Sequence, residues 1–306
     1  MTDTRPSRTL GRLVVIGVGL IGGSCALALK AAGGVREVVG VGRSRRTLDD
    51  ALSRGIVERA YVLDEPWTAE LRDADVVLLA TPVGEIAPVL RRLAGHLGPA
   101  TVVTDAGSTK EDVVAAARSA LGSRIDRFVP AHPIAGTEHS GAAAAFSTLF
   151  RDRTTVLTPV PETALEATAT VRSVWERCGA QVIELDPAGH DRTFAAVSHL
   201  PHVLAFGLVA QLAALPDAQT LFAHAASGFR DFTRFAGSAP EMWRDIALAN
   251  RGALGVALAE YRAMLDELAR AIASGDGATL DRVFTQASAA RRRWQQGAAL
   301  PKPVDR

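Results

Sequence analysis

Residues 13–23 have the sequence LVVIGVGLIGG, and this stretch decides the fold of the N-terminal half. An apolar strand at Leu13–Ile16 leads into Gly17, Gly19 and Gly22, which have the spacing GxGxxG. After a strand and before a helix, the first glycine permits a tight turn and the second lets the backbone approach a pyrophosphate. The third lets the helix pack closely on the strand. The stretch therefore predicts a dinucleotide-binding βαβ unit.

The helix after this loop offers its N-terminus to the same ligand. Amide groups in the first turn of a helix lack acceptors within the helix and attract phosphates, so Leu20 and Ile21 are predicted to bind the cofactor. Short β-branched runs then alternate with helical segments, which is typical of a doubly wound parallel α/β sheet of Rossmann type. The predicted strands are Leu13–Ile16, Val38–Val41, Asp75–Leu79, Thr101–Thr104 and Arg127–Val129, and Thr154–Leu157 and Gln181–Leu185, flanking a helix around Glu162–Arg177, could extend the sheet.

After about Pro187 the strand patterns stop and the chain is predicted to be all helical. The predicted helices are His190–Ala214, Ala218–Arg230, Ala239–Ala273 and Asp276–Gln296. We therefore expect a dinucleotide-binding domain over residues 1–187 and a helical domain over residues 188–306.

One predicted helix carries an apolar stripe with 4-3-4-3-4 spacing, which places its members on one face. The stripe consists of Leu254, Leu258, Tyr261, Leu265, Leu268 and Ile272. It is either part of the core of the helical domain or a seam between two subunits. Gly275 suits a helix C-terminus, and Asp276 suits the cap of the next helix.

The composition limits which partners the protein could bind and indicates the cellular compartment in which it works. The 306 residues are 48% hydrophobic and 22% charged with a formal net charge of +1, so no polyanionic partner is indicated. The basic cluster Arg291–Arg293 is interpreted as a solvated helix face rather than a nucleic-acid site. Cys25 and Cys178 are isolated, which favours reduced thiols in the cytosol. The apolar run Leu13–Leu20 follows arginines as a signal peptide would, but glycines interrupt it, and we expect a cytoplasmic protein without a membrane span.

The end of the second strand bears on the choice of cofactor. NAD-binding proteins usually have an acidic residue there, whereas Arg43, Ser44 and Arg45 occupy this segment and the first acid is Asp49. Guanidinium and hydroxyl groups suit a 2′-phosphate, so NADP is favoured and NAD stays possible. Some of these arginines could equally be solvated loop charges.

Polar segments follow two later strands. Ser108 lies in DAGSTK, residues 105–110, where it could also cap the next helix as a box with Glu111. His132 lies in AHPIAGTEHSG, residues 131–141, at the expected ligand-binding edge of the sheet. An imidazole with an ordinary pKa of about 6.5 can accept a proton there.

The helical half adds SHLPH at residues 198–202, DFTR at 231–234 and MWRD at 242–245. Histidines and an arginine can bind carboxylates. A metal site formed by His132, His199 and His202 is disfavoured because no carboxylate-rich cluster accompanies them, and we predict no metal.

Taken in order, these segments resemble the prephenate/arogenate dehydrogenase family of tyrosine biosynthesis, over roughly Leu13 to Trp294. The resemblance implies a Rossmann domain followed by a helical dimerisation domain, and oxidative decarboxylation of prephenate or arogenate with hydride transfer to NAD(P). It implies a homodimer, with no nucleic acid or membrane partner. In contrast to some members of the family, we expect neither a chorismate mutase domain nor a C-terminal regulatory domain.

The resemblance also implies roles for single residues. His132 matches the catalytic histidine that helps remove the proton of the substrate's 4-hydroxyl, and Ser108 matches a serine that orients the two groups. Four further residues are implied at the substrate, with the ring carboxylate assigned to the first of them: Arg234, His202, Trp243 and Glu138. Thr81 and Pro82, after the strand Asp75–Leu79, are expected to contact the cofactor.

Two other functions compete with this interpretation. A β-hydroxyacid dehydrogenase would be expected to place a catalytic lysine in the helical domain, but the only lysines are Lys30, Lys110 and Lys302. A non-catalytic NADP-sensing module would keep the glycine motif and would not need His132, Ser108 and Arg234 together.

Overall fold

A computed structural model describes residues 9–137 and 139–297, so Glu138 lies outside the described residues. One compact unit ends at Leu254 and a second begins at Gly255. The first unit contains a six-stranded parallel sheet of order β3-β2-β1-β4-β5-β6. Its strands are β1 (Leu10–Ile16), β2 (Val35–Gly42), β3 (Arg59–Val62), β4 (Val76–Leu79), β5 (Val102–Asp105) and β6 (Phe128–Val129). The accompanying helices are α1 (Leu20–Ala31), α2 (Arg45–Ser53), α3 (Val83–Leu93), α4 (Glu111–Leu121) and α5 (Leu165–Arg177).

The Rossmann-type fold predicted from the glycine motif is confirmed. Two apolar cores, one on each face of the sheet, bury its β-branched strands. The strand order reverses between β1 and β4, and ligands of open α/β sheets bind at the carboxyl ends of strands at such a switch point. Strand β3 escaped the sequence analysis because it is a short edge strand with little apolar character, and its Arg59 forms ion pairs with Glu37 and Glu70.

The glycine loop has the geometry that its sequence predicts. Gly17 has φ +101°, and a Cβ there would lie 2.4 Å from the carbonyl oxygen of Ala80. A Cβ on Gly22 would lie 2.3 Å from the Gly17 carbonyl oxygen and 2.7 Å from the side chain of Val15. These positions therefore require glycine for close packing of β1, β4 and α1.

The two later strands do not extend the parallel sheet, which corrects the sequence analysis. They form a separate three-stranded sheet consisting of β7 (Ala131–Pro133), β8 (Thr154–Leu157) and β9 (Gln181–Glu184), in that order. The chain leaves the first sheet at Pro130, which has no amide hydrogen with which to continue the ladder of β6. Strand β7 then pairs antiparallel with β8.

The helices after Pro187 are more divided than the sequence predicted. The first begins at Pro187 rather than His190 and consists of α6 (Pro187–Phe194), a π-helical turn at Ala195–His199 and α7 (Leu200–Ala213). The predicted helix Ala218–Arg230 is two, α8 (Ala218–Ala223) and α9 (Ser227–Thr233). The predicted helix Ala239–Ala273 is interrupted at Asn250 and becomes α10 (Pro240–Ala249) and α11 (Arg251–Ser274), followed by α12 (Gly277–Gln295).

Among the described residues, Pro187–Ala213 is the one stretch whose length and apolar composition would allow it to cross a membrane. Its first half contains His190, Asp191 and His199, which are buried within the protein. Such a stretch is weak evidence for a span, because core helices of soluble proteins share its length and composition.

The second unit contains most of α11 together with α12. Gly275, with φ +68°, ends α11, and Asp276 caps α12 by accepting a 3.0 Å hydrogen bond from the amide of Thr279, as predicted. Within the apolar stripe of α11, Leu258 is 41% exposed and Ile272 is 67% exposed. These two side chains are therefore not part of a core within one chain.

The glycine motif yields a matched pair of variants. Gly22→Ala should lower the free energy of unfolding by about 1–3 kcal/mol, because the added methyl group overlaps backbone and side-chain atoms in a packed core. Gly19→Ala should cost much less, since no atom lies within 4 Å of the Cβ position. Urea unfolding followed by circular dichroism measures both. Equal stability losses for the two variants would contradict the packing role of Gly22.

Candidate active site

The residues predicted to bind the cofactor meet at the switch point of the sheet. Gly17 directly follows β1 and lies beside Ala80 and Thr81, which follow β4. The predicted cofactor residues Thr81 and Pro82 therefore adjoin the glycine loop. The Cβ position of Gly19 faces open space at the N-terminus of α1. A tight turn, a helix N-terminus and room beside it fit a dinucleotide pyrophosphate.

The residues after β2 surround the N-terminus of α2. Ser44 is the cap of α2 and accepts a 3.3 Å hydrogen bond from the amide of Thr47. Arg43 and Arg45 flank it and are exposed. Each arginine has an acidic neighbour: Arg45 lies 2.5 Å from Glu65, and Arg43 lies 3.8 Å from Glu85. A hydroxyl group, two guanidinium groups and a helix N-terminus are groups that can bind an anion.

A buried ion pair fixes the strand that carries His132. The ammonium group of Lys110 contacts the carboxylate of Asp105, and both side chains are fully buried. Lys110 also donates a 2.8 Å hydrogen bond to the carbonyl oxygen of Ala131, and Asp105 accepts one of 3.1 Å from the amide of Ala131. The pair therefore holds both polar groups of the residue that precedes His132. Removing one partner would leave an uncompensated buried charge, which is strongly destabilising.

His132 is the first member of a chain of buried side chains. Its Nδ1 lies 2.9 Å from Nε2 of His190, and Nδ1 of His190 lies 2.8 Å from Oδ1 of Asp191. The ring of Phe194 packs edge-on against His132, with 4.9 Å between ring centroids. His132 is therefore an oriented imidazole at the carboxyl end of the sheet, in agreement with the position predicted for it.

Asp191 also caps helix α4. Its two carboxylate oxygens accept 2.9 Å hydrogen bonds from the amides of Lys110 and Glu111. The capping box predicted between Ser108 and Glu111 is therefore wrong, because a carboxylate from α6 takes the amides at the start of α4. Ser108 instead lies half-buried in the loop between β5 and α4.

Asn250 orients a second buried histidine, His199, through its Nδ1 atom. The side-chain amide of Asn250 donates hydrogen bonds to the backbone oxygen of Asp191 at 2.9 Å and to Nδ1 of His199 at 3.1 Å. Because Nδ1 of His199 accepts, its proton resides on Nε2. This N–H is buried and has no partner among the described residues.

The residues predicted to bind substrate in the helical half form one cluster. The His202 ring stacks on Trp243 with 3.4 Å between ring centroids, and Phe235 covers it at 4.3 Å. Arg234 lies over the ring of Phe235 at 4.7 Å, is exposed, and has no carboxylate partner within the described part of the chain. The Trp243 ring also contacts His199 edge-on, with 6.1 Å between centroids. A positive, partly aromatic surface thus adjoins the histidine chain.

Burial keeps these histidines neutral. Desolvation, followed by the nearby His190, Lys110 and His199, lowers the pKa of His132 well below its ordinary value. Burial likewise lowers the pKa of His199 to about 4. Desolvation also lowers the pKa values of His190 and His202, in each case against an opposing hydrogen bond.

Asp191 is ionised in this setting. Burial alone would raise its pKa, but hydrogen bonds from His190, Glu111 and Lys110 lower it below the usual range. A carboxylate that accepts hydrogen bonds at both oxygens therefore lies at the end of the chain that starts at His132.

His202, Trp243 and Arg234 lie in one cluster that reaches His199, and His132 lies in the chain that ends at Asp191. The structure adds five residues to which the sequence analysis gave no role in the site: Asp105, Lys110, His190, Asp191 and Asn250. Asp105 and Lys110 lie within the DAGSTK segment, but their buried pairing is not evident from composition. Asp191 and Asn250 act on partners remote in sequence, so no local spacing could have revealed them. Within the described residues, no group of three or more histidine, cysteine or acidic side chains could hold a metal ion.

Comparison with known proteins relates this geometry to a family. Residues 25–184 match the family model described as prephenate dehydrogenase, nucleotide-binding domain, and residues 186–286 match its dimerization domain. Cyclohexadienyl dehydrogenase of Zymomonas mobilis is 36% identical over 281 residues, which span 91% of this chain and 94% of that protein. Prephenate dehydrogenase of Bacillus subtilis is 35% identical over 278 residues, 90% of this chain and 74% of that protein.

Solved structures agree with these relatives. Prephenate dehydrogenase of Aquifex aeolicus, crystallised with hydroxyphenyl propionate and NAD+, superposes with a TM-score of 0.86 at 32% identity, covering 94% of this chain and 99% of that one. Arogenate dehydrogenase of Synechocystis gives a TM-score of 0.78 at 33% identity, covering 92% and 99% of the two chains.

Proposed function

The chain belongs to the prephenate dehydrogenase family, and from that premise we propose that it oxidatively decarboxylates prephenate, arogenate or both, in tyrosine biosynthesis. The product is 4-hydroxyphenylpyruvate from prephenate or tyrosine from arogenate. The observation that carries the proposal is an oriented, neutral His132 in a chain that carries the glycine loop of a dinucleotide-binding sheet and an exposed Arg234 without an acidic partner among the described residues.

His132 takes the proton of the 4-hydroxyl on the substrate ring. When bound, the nicotinamide accepts the hydride from the carbon that bears this hydroxyl. Loss of the hydride turns the hydroxyl into a protonated ketone, which is strongly acidic, so an imidazole with a lowered pKa is basic enough. The ketone is conjugated to the carbon that carries the ring carboxylate, so carbon dioxide leaves and the ring becomes aromatic. Ser108, in the loop after β5, orients the hydroxyl and His132.

The helical cluster holds the two carboxylates of the substrate. Arg234 has no acidic partner among the described residues, and its guanidinium can hold the ring carboxylate through two parallel hydrogen bonds. His202 and Trp243 form the wall beside the side chain that is a pyruvyl group in prephenate and an alanyl group in arogenate. Glu138, which the family resemblance implies at the substrate, lies outside the described residues.

NADP is the favoured cofactor of this proposal and NAD the alternative. The Ser44 cap, the N-terminus of α2 and the flanking arginines support recognition of a 2′-phosphate. Glu65 and Glu85 neutralise part of that charge, which leaves room for NAD.

The working form of the protein is proposed to be a cytoplasmic homodimer, with residues 1–187 binding the cofactor and residues 188–306 forming the substrate and dimerisation domain. The match to a dimerization domain and the exposed apolar stripe of α11 support the dimer. Nucleic acid and membranes have no part in it.

Purified protein tests the function directly. We expect reduced nicotinamide to accumulate with prephenate or arogenate and not with a panel of small β-hydroxyacids. Turnover of the β-hydroxyacids alone would establish the rival dehydrogenase, and tight NADP binding without turnover of any substrate would establish a sensing module. The ratio of kcat/KM between prephenate and arogenate then identifies the preferred substrate.

The first prediction concerns His132. His132→Asn keeps a hydrogen-bonding group but removes the base, so kcat should fall roughly 10²–10⁴-fold while substrate binding changes much less. The protonated form is inactive, so kcat/KM of the unaltered protein should fall only as the pH drops through the lowered pKa. That acid limb lies below the value of about 6.5 expected from sequence, because burial opposes protonation. Near-normal kcat in the variant would remove His132 from the mechanism.

The second prediction concerns the cofactor. Replacing Arg43 and Arg45 with alanine should raise KM for NADP far more than KM for NAD, because only NADP carries the 2′-phosphate. Arg46→Ala, one residue further on, serves as the control for loss of a surface charge. Equal effects of the double variant on both cofactors would contradict a role in reading the phosphate.

The third prediction concerns Arg234. Arg234→Lys keeps the charge but loses the paired hydrogen bonds, and a charged hydrogen bond contributes roughly 1.5–3 kcal/mol. The loss should appear mainly as a raised substrate KM, since the carboxylate is charged before hydride transfer begins. Cofactor affinity should stay near that of the unaltered protein. A variant with normal substrate KM and weakened NADP binding would show that the assignment is wrong.

The fourth prediction concerns the subunit seam. Multi-angle light scattering at micromolar concentration should give twice the mass of the chain. Leu265→Glu, which places a charge at an exposed stripe position, should shift the mass toward that of a monomer. A monomeric unaltered protein would contradict the proposed dimer.

A further inference from the structure

Three side chains behind the reacting edge form a directional hydrogen-bond chain, His132–His190–Asp191. We propose that His190 and Asp191 are positioning residues that fix the tautomer of His132 and share the proton that it accepts. The inference rests on the proposed function for its kinetic consequences, but the tautomer itself can be measured without substrate.

The direction of the chain follows from its far end. The ionised carboxylate of Asp191 has no hydrogen, so it accepts the 2.8 Å hydrogen bond and His190 carries its proton on Nδ1. A neutral His190 then has a bare Nε2. Because this Nε2 lies 2.9 Å from Nδ1 of His132, the proton of His132 must be on Nδ1. Nε2 of His132 is left with a free lone pair, which is the form that a general base needs.

Further hydrogen bonds fix the orientation of the Asp191 carboxylate. Its two oxygens also accept the amide hydrogens of Lys110 and Glu111 at the start of α4, so the orientation of Asp191 is fixed by the backbone of another element. Phe194 packs against both imidazole rings, with 4.9 Å to the His132 centroid and 4.5 Å to the His190 centroid. The orientation of all three side chains is therefore set by contacts within the protein.

The same hydrogen-bond chain takes up the proton of the substrate hydroxyl after the hydride has left. The O–H bond of the substrate breaks and an N–H bond forms at Nε2 of His132. The hydrogen on Nδ1 of His132 moves to Nε2 of His190, whose imidazolium keeps its Nδ1 hydrogen bond to Asp191. The positive charge is thus transferred to the side chain that contacts the carboxylate, and no oxidant or further reactant is required.

The surrounding charges oppose any earlier protonation. Lys110, from the start of α4, disfavours a second proton on either histidine, and His199 disfavours one on His132. Burial also lowers the pKa of His190, whereas Asp191 and Asp105 act in the opposite direction and favour its protonation. The two imidazoles consequently titrate as a coupled pair with apparent values that belong to both.

Histidine nitrogen NMR on the unaltered protein and on Asp191→Asn tests the tautomers directly. In the unaltered protein the His132 proton should be on Nδ1. The amide of the variant can donate to His190, which reverses both rings and moves the His132 proton to Nε2. Asp186→Asn, which removes the carboxylate that caps the same helix α6, is the matched control and should leave His132 unchanged. A His132 proton on Nε2 in the unaltered protein would overturn the proposal.

Kinetics give an independent readout. In Asp191→Asn, kcat should fall roughly 10²–10⁴-fold with little change in substrate KM, and the acid limb of kcat/KM should move. Should this variant fail to fold, His190→Leu, which leaves the His132 N–H without an acceptor, should show the same kcat loss. His190→Gln, whose carbonyl can accept that N–H, should recover part of it. Equal kcat values for His190→Leu and His190→Gln, or an acid limb that does not move in Asp191→Asn, would contradict the proposed role of His190 and Asp191. Absence of activity in the unaltered protein would instead refute the proposed function, and the NMR result would still stand.

Discussion

The carboxylate of Asp191 is the constraint on which the site depends. It caps α4 of the nucleotide-binding sheet, and it orients His190 and through it His132. The backbone oxygen of Asp191 also accepts a hydrogen bond from the side-chain amide of Asn250, and the same amide donates to His199. One residue of α6 therefore joins the loop after β5, strand β7 and the break between α10 and α11, so the site and the packing of these elements cannot vary separately.

Buried charge serves geometry here rather than stability. A buried ion pair gains little over apolar packing, because desolvation offsets most of the attraction. The Asp105–Lys110 pair nevertheless contacts both polar groups of Ala131, which fixes the residue next to His132. The same low-polarity surroundings keep the histidines neutral, which leaves a lone pair on His132 and an N–H on His199 that has no partner among the described residues.

Much of this molecule follows from sequence patterns, and the rest does not for identifiable reasons. The glycine loop predicted β1, α1 and the cradle because its requirements are local, and Gly17 and Gly22 meet them. The second sheet was missed because Pro130 ends pairing in a way that strand composition does not reveal. Asp191 lies 81 positions after Lys110, whose amide it accepts, so no local pattern could identify it as the cap. Asn250, which separates α10 from α11, likewise donates hydrogen bonds to partners remote in sequence, Asp191 and His199.

The central claim is that the enzyme oxidises its substrate and releases the ring carboxylate in the same turnover. Prephenate or arogenate labelled at the ring carboxylate should release one labelled carbon dioxide for each nicotinamide reduced, with His132 and the Asp191 chain intact. Reduced nicotinamide formed while the label stays in the organic product would contradict the account, because the enzyme would then be a simple alcohol dehydrogenase acting on the same hydroxyl.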